Sequence, residues 1–481
     1  MLLPAINGEQ YLSRINEMQP NVWIRGKKVT GKLSDNPDYK GAMQTKASLY
    51  DLQLHPDLIQ KMTFPSPLSK EPVGISFLQP KTKEDLERRR YMMNVWARKT
   101  VGMMGRTPDY LNTVLMTLAT ASPILTRQEK SFSENLLRLY EHAREHDYSF
   151  THSFINPQVN RSYQNEKPST DPIAAKVIAK TSDGLIVKGA RLLATQGGMT
   201  DEVLIFPSGS KLGDDDYAFS FSIPTNTEGL KFICRESFFK GDSAFNYPLS
   251  SRFHEMETMI IFDNVLVPWD RVFFHNRQDI AYELFSKSSF TAHALHQAVI
   301  RQVVKTEFIL GLAQKMVTSL DLSDYQHIKE KISEMIIGLE TMKALLERAE
   351  LHAKEDQWGT ITPNVHPLYV AINTFPTFYP RMSEILQLIG AGGLMAIPAE
   401  EDFQSGLADD LDNYFQGNAC SAVEKTKLFR LVWDLTMSSF GTRQTQYERY
   451  FFGDPIKLAG TLYNGYPRDE YIKQVEDFLS T

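Results

Sequence analysis

Two polar segments carry the side chains with the clearest capacity for chemistry. The first is Gly105-Arg106-Thr107-Pro108-Asp109-Tyr110, and the second is Asn156-Pro157-Gln158-Val159-Asn160-Arg161, which begins four residues after His152. Together they supply an imidazole, two guanidinium groups, a phenol and several amides, in stretches rich in turn-forming residues. Such a donor set suits an aromatic hydroxyl group and a reduced ring cofactor. It does not predict a metal site.

The first segment has two interpretations. Pro108 is typical of the first turn of a helix, with Thr107 as a candidate N-cap. Arg106 and Tyr110 would then lie at the N-terminal end of that helix, where free N–H groups and the helix dipole favour a negative charge. A cation and a phenolic donor at this place could hold a phenolate oxygen. An arginine stacked on a tyrosine at the surface is the alternative, and the spacing alone favours it.

The second segment is equally open. Gln158, Asn160 and Arg161 could bind the polar edge of a flavin, because amide and guanidinium groups donate hydrogen bonds to its ring atoms. They could also satisfy the backbone of a buried loop, as such side chains often do. The residues alone do not separate these two roles.

Two pairs of histidines each share a helix face. His142 and His146 lie four residues apart, and His293 and His296 lie three apart, so both rings of a pair point to one side. Neither pair has the carboxylate of an HExxH zinc motif. Charged residues surround the first pair, which predicts a solvated face, whereas His296 lies on an apolar helix. His296 is therefore the better candidate for a buried site, although a core histidine fits the same pattern.

The composition is that of an ordinary globular protein, and it excludes several functions. The chain has 481 residues, a net charge of −6 and a pI near 6.0, without a dominant basic block, so a nucleic acid is not an expected partner. Cys234 and Cys420 are too few for a disulfide framework, a four-cysteine zinc site or an iron–sulfur cluster. The N-terminus lacks signal-peptide features, and no apolar run approaches the ~20 residues that span a bilayer. We expect a soluble, cytoplasmic protein.

The periodicity of apolar residues divides the chain into three regions. Residues 1–150 are predicted to be mostly helical, residues 151–272 to form strands, and residues 273–481 to return to helices. Because no helical pattern separates the predicted strands, we expect an antiparallel sandwich or barrel in the middle, and an α+β fold overall. The predicted strands are Ala174 to Ala179, Leu185 to Val187, Val203 to Phe206, Tyr217 to Ile223, Leu230 to Cys234 and Met259 to Phe262. A ligand cleft is expected where the three regions meet.

Four long helices are predicted in the last region, which is typical of a four-helix bundle. The clearest pattern runs from Ile328 to Ala349, where apolar residues recur at steps of four and three. The others are Ala292 to Val317, Arg381 to Gly390 and Val423 to Tyr447. The aromatic stretch Phe451 to Pro455 follows the last helix, and it could either wall a cofactor site or close the bundle.

Motifs along nearly the whole chain resemble those of one enzyme family. Beside the two polar segments, they are Tyr247-Pro248-Leu249-Ser250-Ser251-Arg252, Phe262-Asp263-Asn264-Val265-Leu266-Val267-Pro268-Trp269 and Tyr447-Glu448-Arg449-Tyr450-Phe451-Phe452-Gly453. In this order they resemble the oxygenase component of two-component 4-hydroxyphenylacetate 3-monooxygenases, flavin-dependent phenol hydroxylases with the acyl-CoA dehydrogenase-like fold. The resemblance implies ortho-hydroxylation of a para-substituted phenol, 4-hydroxyphenylacetate to 3,4-dihydroxyphenylacetate. Reduced FAD (FADH2) and O2 would react through a flavin C4a-hydroperoxide.

The resemblance also implies roles for individual residues. Arg106, Tyr110 and His152 would contact the substrate hydroxyl group, and His296 matches an active-site histidine of chlorophenol-oxidising members. Ser208 and Gly209 would lie on a loop that reaches the rest of the substrate, and Gly209 stands where a second hydroxyl side chain is expected. FAD would be held by His152, Gln158, Val159, Asn160, Arg161, Thr195, Asp454, Pro455, Ile456 and Lys457.

The resemblance to this family also implies partners for the chain, and alternative functions remain beside the one it implies. A separate NADH-dependent reductase would deliver reduced FAD, by diffusion or by contact, and the oxygenase would be a homotetramer. Another phenol, such as phenol itself or a chlorophenol, could be the substrate. A 4-hydroxybutyryl-CoA dehydratase of the same superfamily would need cysteine ligands for its [4Fe–4S] cluster, and Cys234 and Cys420 are too few. An acyl-CoA dehydrogenase would need a catalytic carboxylate that the sequence does not place, and a helical scaffold without activity is the remaining alternative.

Overall fold

The computed structural model describes residues 4–157, 172–207, 215–238, 241 and 243–480. Helices and two larger β-sheets make up these residues, which is the mixed helix-and-sheet class that the sequence predicted. None of the helices in this part of the chain combines the length and the apolar composition of a membrane-spanning helix.

Helices dominate the chain before residue 150. They are α1 (Gly8–Met18), α2 (Pro37–Gln53), α3 (Ile59–Met62), α4 (Lys83–Lys99), α5 (Pro108–Thr120) and α6 (Lys130–His146). Short strands lie between them: β1 (Val22–Ile24), β2 (Lys27–Lys28), β3 (Thr63–Pro65) and β4 (Pro72–Gly74). α5 begins at Pro108 as predicted, but Thr107 at its N-cap makes no capping hydrogen bond with its side chain. Nearly every residue of α5 is buried, so this helix runs through the core.

The strands of the middle region form two open sheets. They are β5 (Phe150–Ser153), β6 (Lys176–Lys180), β7 (Gly184–Thr195), β8 (Glu202–Ile205), β9 (Phe219–Pro224), β10 (Leu230–Cys234), β11 (Glu257–Pro268) and β12 (Val272–His275), with a short helix α7 (Ser250–Phe253) before β11. One sheet has the order β2-β1-β10-β11-β7-β6 and the other β12-β9-β8-β5. Among the described strands, neither sheet closes into a barrel.

The expectation of purely antiparallel pairing was wrong at two places. β1 pairs with β10 in parallel, with Val22 opposite Phe232, and β5 pairs with β8 in parallel, with His152 opposite Leu204. β1 comes from the helical first region, and β5 is separated from β8 by the long strand β7, so neither pair is a hairpin. Parallel pairing needs such long connections, and a reading of neighbouring strands alone does not reveal them.

Helices return after residue 275. They are α8 (Gln278–Lys287), α9 (Phe290–Ser319), α10 (Gln326–Leu351), α11 (Val365–Gly390), α12 (Ala408–Tyr414), α13 (Ala422–Thr436), α14 (Ser439–Tyr450), α15 (Pro455–Gly465) and α16 (Asp469–Leu479), with a small hairpin of β13 (Lys354–Glu355) and β14 (Ile361–Thr362). α9, α10 and α11 pack against one another, and α14 packs against α11. The predicted helices in α9 and α10 are confirmed. α11 begins much earlier than predicted and continues through Pro376 and Pro380.

The single helix predicted from Val423 to Tyr447 was wrong, because the chain forms α13 and α14 with a break at Met437 and Ser438. Ser438 Oγ accepts a hydrogen bond from the backbone N–H of Gly441 at 3.1 Å and so caps α14. A Cβ on Gly441 would lie 2.4 Å from the carbonyl carbon of Leu435, so the two helices approach each other closely at the break.

Replacing Ser438 with alanine is expected to destabilise the protein by about 1 kcal/mol, since the cap of α14 is lost. Thermal or urea unfolding measures the difference. Ser439→Ala is the matched control, because Ser439 is exposed in the same turn and caps nothing. Equal stability of the two variants would contradict the capping role.

Candidate functional site

Arg106 lies in the loop before α5, inside a group of aromatic rings. Its guanidinium carbon is 4.2 Å from the ring centroid of Tyr110, 4.3 Å from that of Phe451 and 5.7 Å from that of Tyr447. The ring faces attract the cation and hold it in place. Arg106 therefore does stack on Tyr110, but the stack is buried and not a cap at the surface. Its Nε has no hydrogen-bond partner among the described residues, so this donor is left for a ligand.

His152 and Tyr110 lie beside Arg106. The imidazole ring of His152, on β5, is 6.1 Å from the ring of Tyr110 and is packed against Phe154 and Phe206. Burial, helped by the charge of Arg106, holds the pKa of His152 well below its usual range. Burial also raises the pKa of Tyr110, although Arg106 acts against it. At neutral pH the three side chains thus offer one cation, one neutral imidazole and one protonated phenol, which suits a bound oxyanion.

The loop that carries Arg106 is held by the carboxylate of Glu255, which is fully buried. Glu255 Oε1 accepts from the backbone N–H of Arg106 at 2.9 Å and from Gln196 Nε2 at 3.0 Å, and Oε2 accepts from the N–H of Gly105 at 3.0 Å. A Cβ on Gly105 would lie 2.3 Å from Oη of Tyr447, so the loop has no room for a larger residue. These contacts fix the backbone from which the guanidinium group projects.

Thr195 ends β7 one residue before Gln196, and its carbonyl oxygen accepts a hydrogen bond from Thr151 Oγ1 at 2.7 Å. Thr151 precedes His152 in β5, so the structure brings Thr195 and His152 onto adjoining strand ends. Through Gln196 the same turn is tied to Glu255 and the Arg106 loop. Hydrogen bonds from Thr151 and Gln196 therefore connect the end of β7, at Thr195, to the strand of His152 and, through Glu255, to the Arg106 loop.

The segment Asp454 to Lys457 lies three residues after Phe451, at the start of α15. Asp454 Oδ1 accepts from the backbone N–H groups of Ile456 at 2.8 Å and Lys457 at 3.4 Å. Ile456 is 83% exposed, so this turn is at the surface of the chain. Phe451, three residues before this turn, belongs to the aromatic group around Arg106.

His296 is buried but is not joined to this group by any hydrogen bond or ring contact among the described residues. Its Nε2 lies 2.7 Å from Oε1 of Glu350 on α10, and its Nδ1 has no partner in the described part of the chain. Glu350 also pairs with Arg90 at 2.8 Å. His142 and His146 stack on each other with ring centroids 4.1 Å apart.

Six residues assigned from the resemblance lie outside the described residues: Gln158, Val159, Asn160, Arg161, Ser208 and Gly209. Within residues 4–157, 172–207, 215–238, 241 and 243–480, no group of histidine, cysteine and carboxylate side chains could hold a metal ion. The residues around Arg106 do fit a flavin, because aromatic walls and two buried polar atoms suit a planar ring with polar edges. These atoms are Nε of Arg106 and Oη of Tyr447, which have no hydrogen-bond partner in the described part of the chain.

Three residues of this region were not singled out by the sequence. Glu255 binds the Arg106 loop, and Arg301 binds Glu448, across more than 140 residues of sequence, which local periodicity does not show. A weak signal existed for two of them. Glu448 lies inside the motif from Tyr447 to Gly453, and Arg301 interrupts the apolar pattern of α9.

His152 gives a testable dependence of stability on pH. An unfolded histidine binds a proton near pH 6.5, whereas folded His152 stays neutral, so below that pH the unfolded state binds more protons. The free energy of unfolding should therefore fall as the pH drops below about 6.5, by about 1.4 kcal/mol per pH unit for this histidine. Urea unfolding between neutral and mildly acidic pH measures this slope.

His152→Asn should remove that share of the slope. His55→Asn, at an exposed histidine, is the control and should leave the slope as it is. An unchanged slope in His152→Asn would mean that His152 ionises in the folded protein.

Comparison with known proteins finds a family match over nearly the whole chain. Residues 7–274 match the N-terminal part, and residues 281–480 the C-terminal part, of the 4-hydroxyphenylacetate 3-hydroxylase family. The chain is 51% identical, over 98% of both chains, to a Bacillus subtilis (strain 168) protein named "Probable 4-hydroxyphenylacetate 3-monooxygenase".

Two solved structures resemble the fold. One is the oxygenase component of 4-hydroxyphenylacetate 3-monooxygenase in complex with FAD and 4-hydroxyphenylacetate. It is 42% identical with a TM-score of 0.93, over 99% of this chain and 98% of that chain. The other is an oxygen-tolerant archaeal 4-hydroxybutyryl-CoA dehydratase from N. maritimus. Its TM-score is 0.87, over 99% of this chain and 95% of that chain. At 19% identity, the second shows likeness of fold alone.

Proposed function

The chain belongs to the 4-hydroxyphenylacetate 3-hydroxylase family, and from this we propose that it is the oxygenase component of a 4-hydroxyphenylacetate 3-monooxygenase. It is a flavin-dependent monooxygenase that uses reduced FAD and O2. It places a hydroxyl group on the ring carbon next to the phenol oxygen, so that 4-hydroxyphenylacetate becomes 3,4-dihydroxyphenylacetate.

The observation that carries this proposal is the buried guanidinium group of Arg106 between aromatic rings, beside a neutral His152 and a protonated Tyr110. The ring carbon is most reactive when the phenol is ionised, and a phenol of pKa ~10 resists ionisation at pH 7 by ~4 kcal/mol. A cation at ~4 Å in an effective dielectric of ~20 attracts the phenolate by a similar ~4 kcal/mol before desolvation. Arg106 therefore offsets most of the cost.

His152 and Tyr110 complete the contact with the substrate oxygen. Tyr110 keeps its proton because burial raises its pKa, so it donates a hydrogen bond to the oxyanion. Neutral His152 accepts the phenol proton or donates to the phenolate, according to the tautomer it adopts. His296, bonded to Glu350, is a less direct candidate for the base, although the resemblance names it.

FAD would lie beside this group, with Thr195, His152 and the turn from Asp454 to Lys457 as the described residues proposed to hold it. When bound, the reduced flavin activates O2 for transfer of one oxygen atom to the ring. The chain's part is to bind and orient both molecules and to exclude water, for which the aromatic walls of Phe451 and Tyr110 are suited. Gln158 to Arg161 are proposed to bind FAD, and Ser208 and Gly209 the rest of the substrate.

A separate reductase supplies the reduced FAD, which is what the term oxygenase component implies for the solved relative. We also propose a homo-oligomer, a tetramer by family resemblance. The last helix, α16, supports self-association because it has no buried residue and exposes an apolar face. That face comprises Tyr471, Ile472, Val475, Phe478 and Leu479.

The finer architecture is also a proposal. We assign residues 1–150 to a helical domain, 151–272 to a β-domain and 273–481 to the four-helix bundle of the acyl-CoA dehydrogenase-like fold. The mutual packing of α9, α10 and α11, with α14 on α11, supports the bundle. Two open sheets, in place of a closed barrel, support a sandwich-like β-domain.

Product analysis tests the function. The purified chain is supplied with reduced FAD, O2 and 4-hydroxyphenylacetate, and the catechol is identified by mass spectrometry. Phenol, 4-chlorophenol and 4-nitrophenol are compared under the same conditions, to separate the proposed substrate from other phenols. If reduced FAD and O2 gave only H2O2, with every phenol left unchanged, the proposal would be contradicted. Iron bound in stoichiometric amount would favour a dehydratase.

A further inference from the structure

A buried group of charged side chains lies against Phe451. Glu448 on α14 accepts hydrogen bonds from Arg301 on α9 at 2.5 and 3.0 Å, and from Lys305 at 2.5 Å. All three side chains are at most 1% exposed. Two cations and one anion leave these residues, named here the 301–305–448 cluster, with a net charge of +1.

The three groups keep their charges at neutral pH. Burial raises the pKa of Glu448, but Arg301 and Lys305 outweigh it and bring that pKa to about 2. Burial lowers the pKa of Lys305 to about 8, which leaves most of the amine protonated at pH 7. Arginine is always charged in proteins. The net charge of +1 therefore persists under working conditions.

One aromatic ring separates this cluster from Arg106. The guanidinium carbon of Arg301 is 4.6 Å from the ring centroid of Phe451, and that of Arg106 is 4.3 Å from the same centroid. Both cations act to lower the pKa of Tyr110, against the larger effect of burial. Arg301, like Arg106, is therefore close enough to favour a negative charge at Tyr110.

Among the residues that the structure describes, the other charged groups of this region balance one another. Two carboxylates and two guanidinium groups form an ionic group around β11 and α14: Glu255, Glu257, Arg235 and Arg443. Arg89 opposes the charge of buried Asp109. Tyr379 and Tyr447 keep their protons because burial raises the pKa of both, and His152 is neutral. The positive charge of the cluster, added to that of Arg106, is left for a bound anion.

We propose that the 301–305–448 cluster favours the ionised form of the phenol bound beside Arg106, through its charge and without touching substrate or cofactor. The inference rests on the proposed function, since it needs a phenol at the Arg106 site. Part of the positive charge that stabilises the phenolate would then come from α9 and α14, which are separated from Arg106 by the ring of Phe451. One unit of charge at ~10 Å in an effective dielectric of ~20 shifts an ionisation midpoint by about one pH unit.

The test titrates bound 4-nitrophenol, whose ionised form absorbs visible light, in the anaerobic complex of the protein with reduced FAD. Glu448→Gln is made in the Lys305→Arg variant, because the buried amine of Lys305 would lose its proton without Glu448, whereas an arginine stays charged. The charge of the cluster then rises from +1 to +2, so the midpoint of bound nitrophenol should fall by about one pH unit. Lys305→Gln lowers the charge to zero, so the midpoint should rise by about one unit. A charge effect moves the two variants in opposite directions, whereas loosened packing would move both the same way.

Two controls accompany these variants. Lys305→Arg keeps the charge and should titrate like the unsubstituted protein. Glu334→Gln removes the same charge as Glu448→Gln, but from an exposed ion pair with Arg381, and should have no effect.

Shifts in the same direction, or no shift in either variant, would overturn the inference. So would a change in affinity for reduced FAD without a change in the nitrophenol titration, because it would assign the cluster to the cofactor. If one variant does not fold, the other is compared with Lys305→Arg, which keeps the charge of the cluster, and its midpoint must still shift in the direction that its own charge requires. Failure of the unsubstituted protein to bind 4-nitrophenol would instead count against a phenol site, and thus against the proposed function itself.

Discussion

Arg106→Met is expected to lower catechol formation about a thousandfold while reduced FAD is still oxidised, with H2O2 as the product. The methionine keeps much of the side chain's volume but removes the cation that offsets ~4 kcal/mol of phenol ionisation, which corresponds to about three powers of ten in rate. Catechol and H2O2 formed per FADH2 consumed are measured together. The ratio of the two reports coupling independently of how fast flavin is oxidised.

The pH profile sharpens this prediction. If Arg106 acts by ionising the phenol, the loss of catechol formation in Arg106→Met should become smaller as the pH rises towards ~10, where the phenol ionises without a nearby cation. Arg106→Lys should retain part of the activity, because it keeps the charge but loses the planar face that stacks on Tyr110 and Phe451. Arg98→Met, at an exposed ion pair with Glu307, is the control for removal of a positive charge. Tight coupling in Arg106→Met would refute the role.

The helices show where local pattern was sufficient and where it was not. The predicted helix from Ile328 to Ala349 is confirmed within α10, because its apolar residues form one stripe that the core buries. α11 was largely missed, since Pro376 and Pro380 argue locally against a helix that tertiary packing nevertheless maintains. The break between α13 and α14 depends on the cap that Ser438 provides. A short polar stretch within a helical pattern does not by itself predict such a cap.

The site shows a similar division. The segments of Arg106, Tyr110 and His152 stood out because polar groups cluster there, and the structure places their side chains side by side. What orients them was not predictable, because Glu255 lies 149 residues from Arg106 and Arg301 lies 147 from Glu448. The parallel pairing of β5 with β8, which places His152, likewise depends on long-range contacts. The sequence therefore indicates which residues are candidates for the site, whereas the carboxylates of Glu255 and Glu448, far away in sequence, hold the arginines in place.

Glu255→Gln tests how far that geometry matters, and we expect catechol formation to fall about a hundredfold with a rise in KM for the phenol. Oε1 already accepts from Arg106 N–H and Gln196, and Oε2 from Gly105 N–H, so either orientation of the amide points an NH2 group at a donor. One buried N–H is then unsatisfied, at about 1–3 kcal/mol. A displacement of Arg106 by ~1 Å is sufficient for a hundredfold loss.

The direction in which activity changes in Glu255→Gln separates two roles of Glu255: positioning of the Arg106 loop and the electrostatic effect of its negative charge. Glu255 is an anion near Arg106, so its neutralisation would by charge alone favour the phenolate and raise activity. A loss of activity therefore means that Glu255 acts by holding the loop. Glu257→Gln is the matched control, because Glu257 also pairs with Arg443 but makes no bond to the Arg106 loop. If Glu255→Gln matched this control in KM and coupling, the loop would not depend on the carboxylate, and Gly105 packed against Tyr447 would be left to position Arg106.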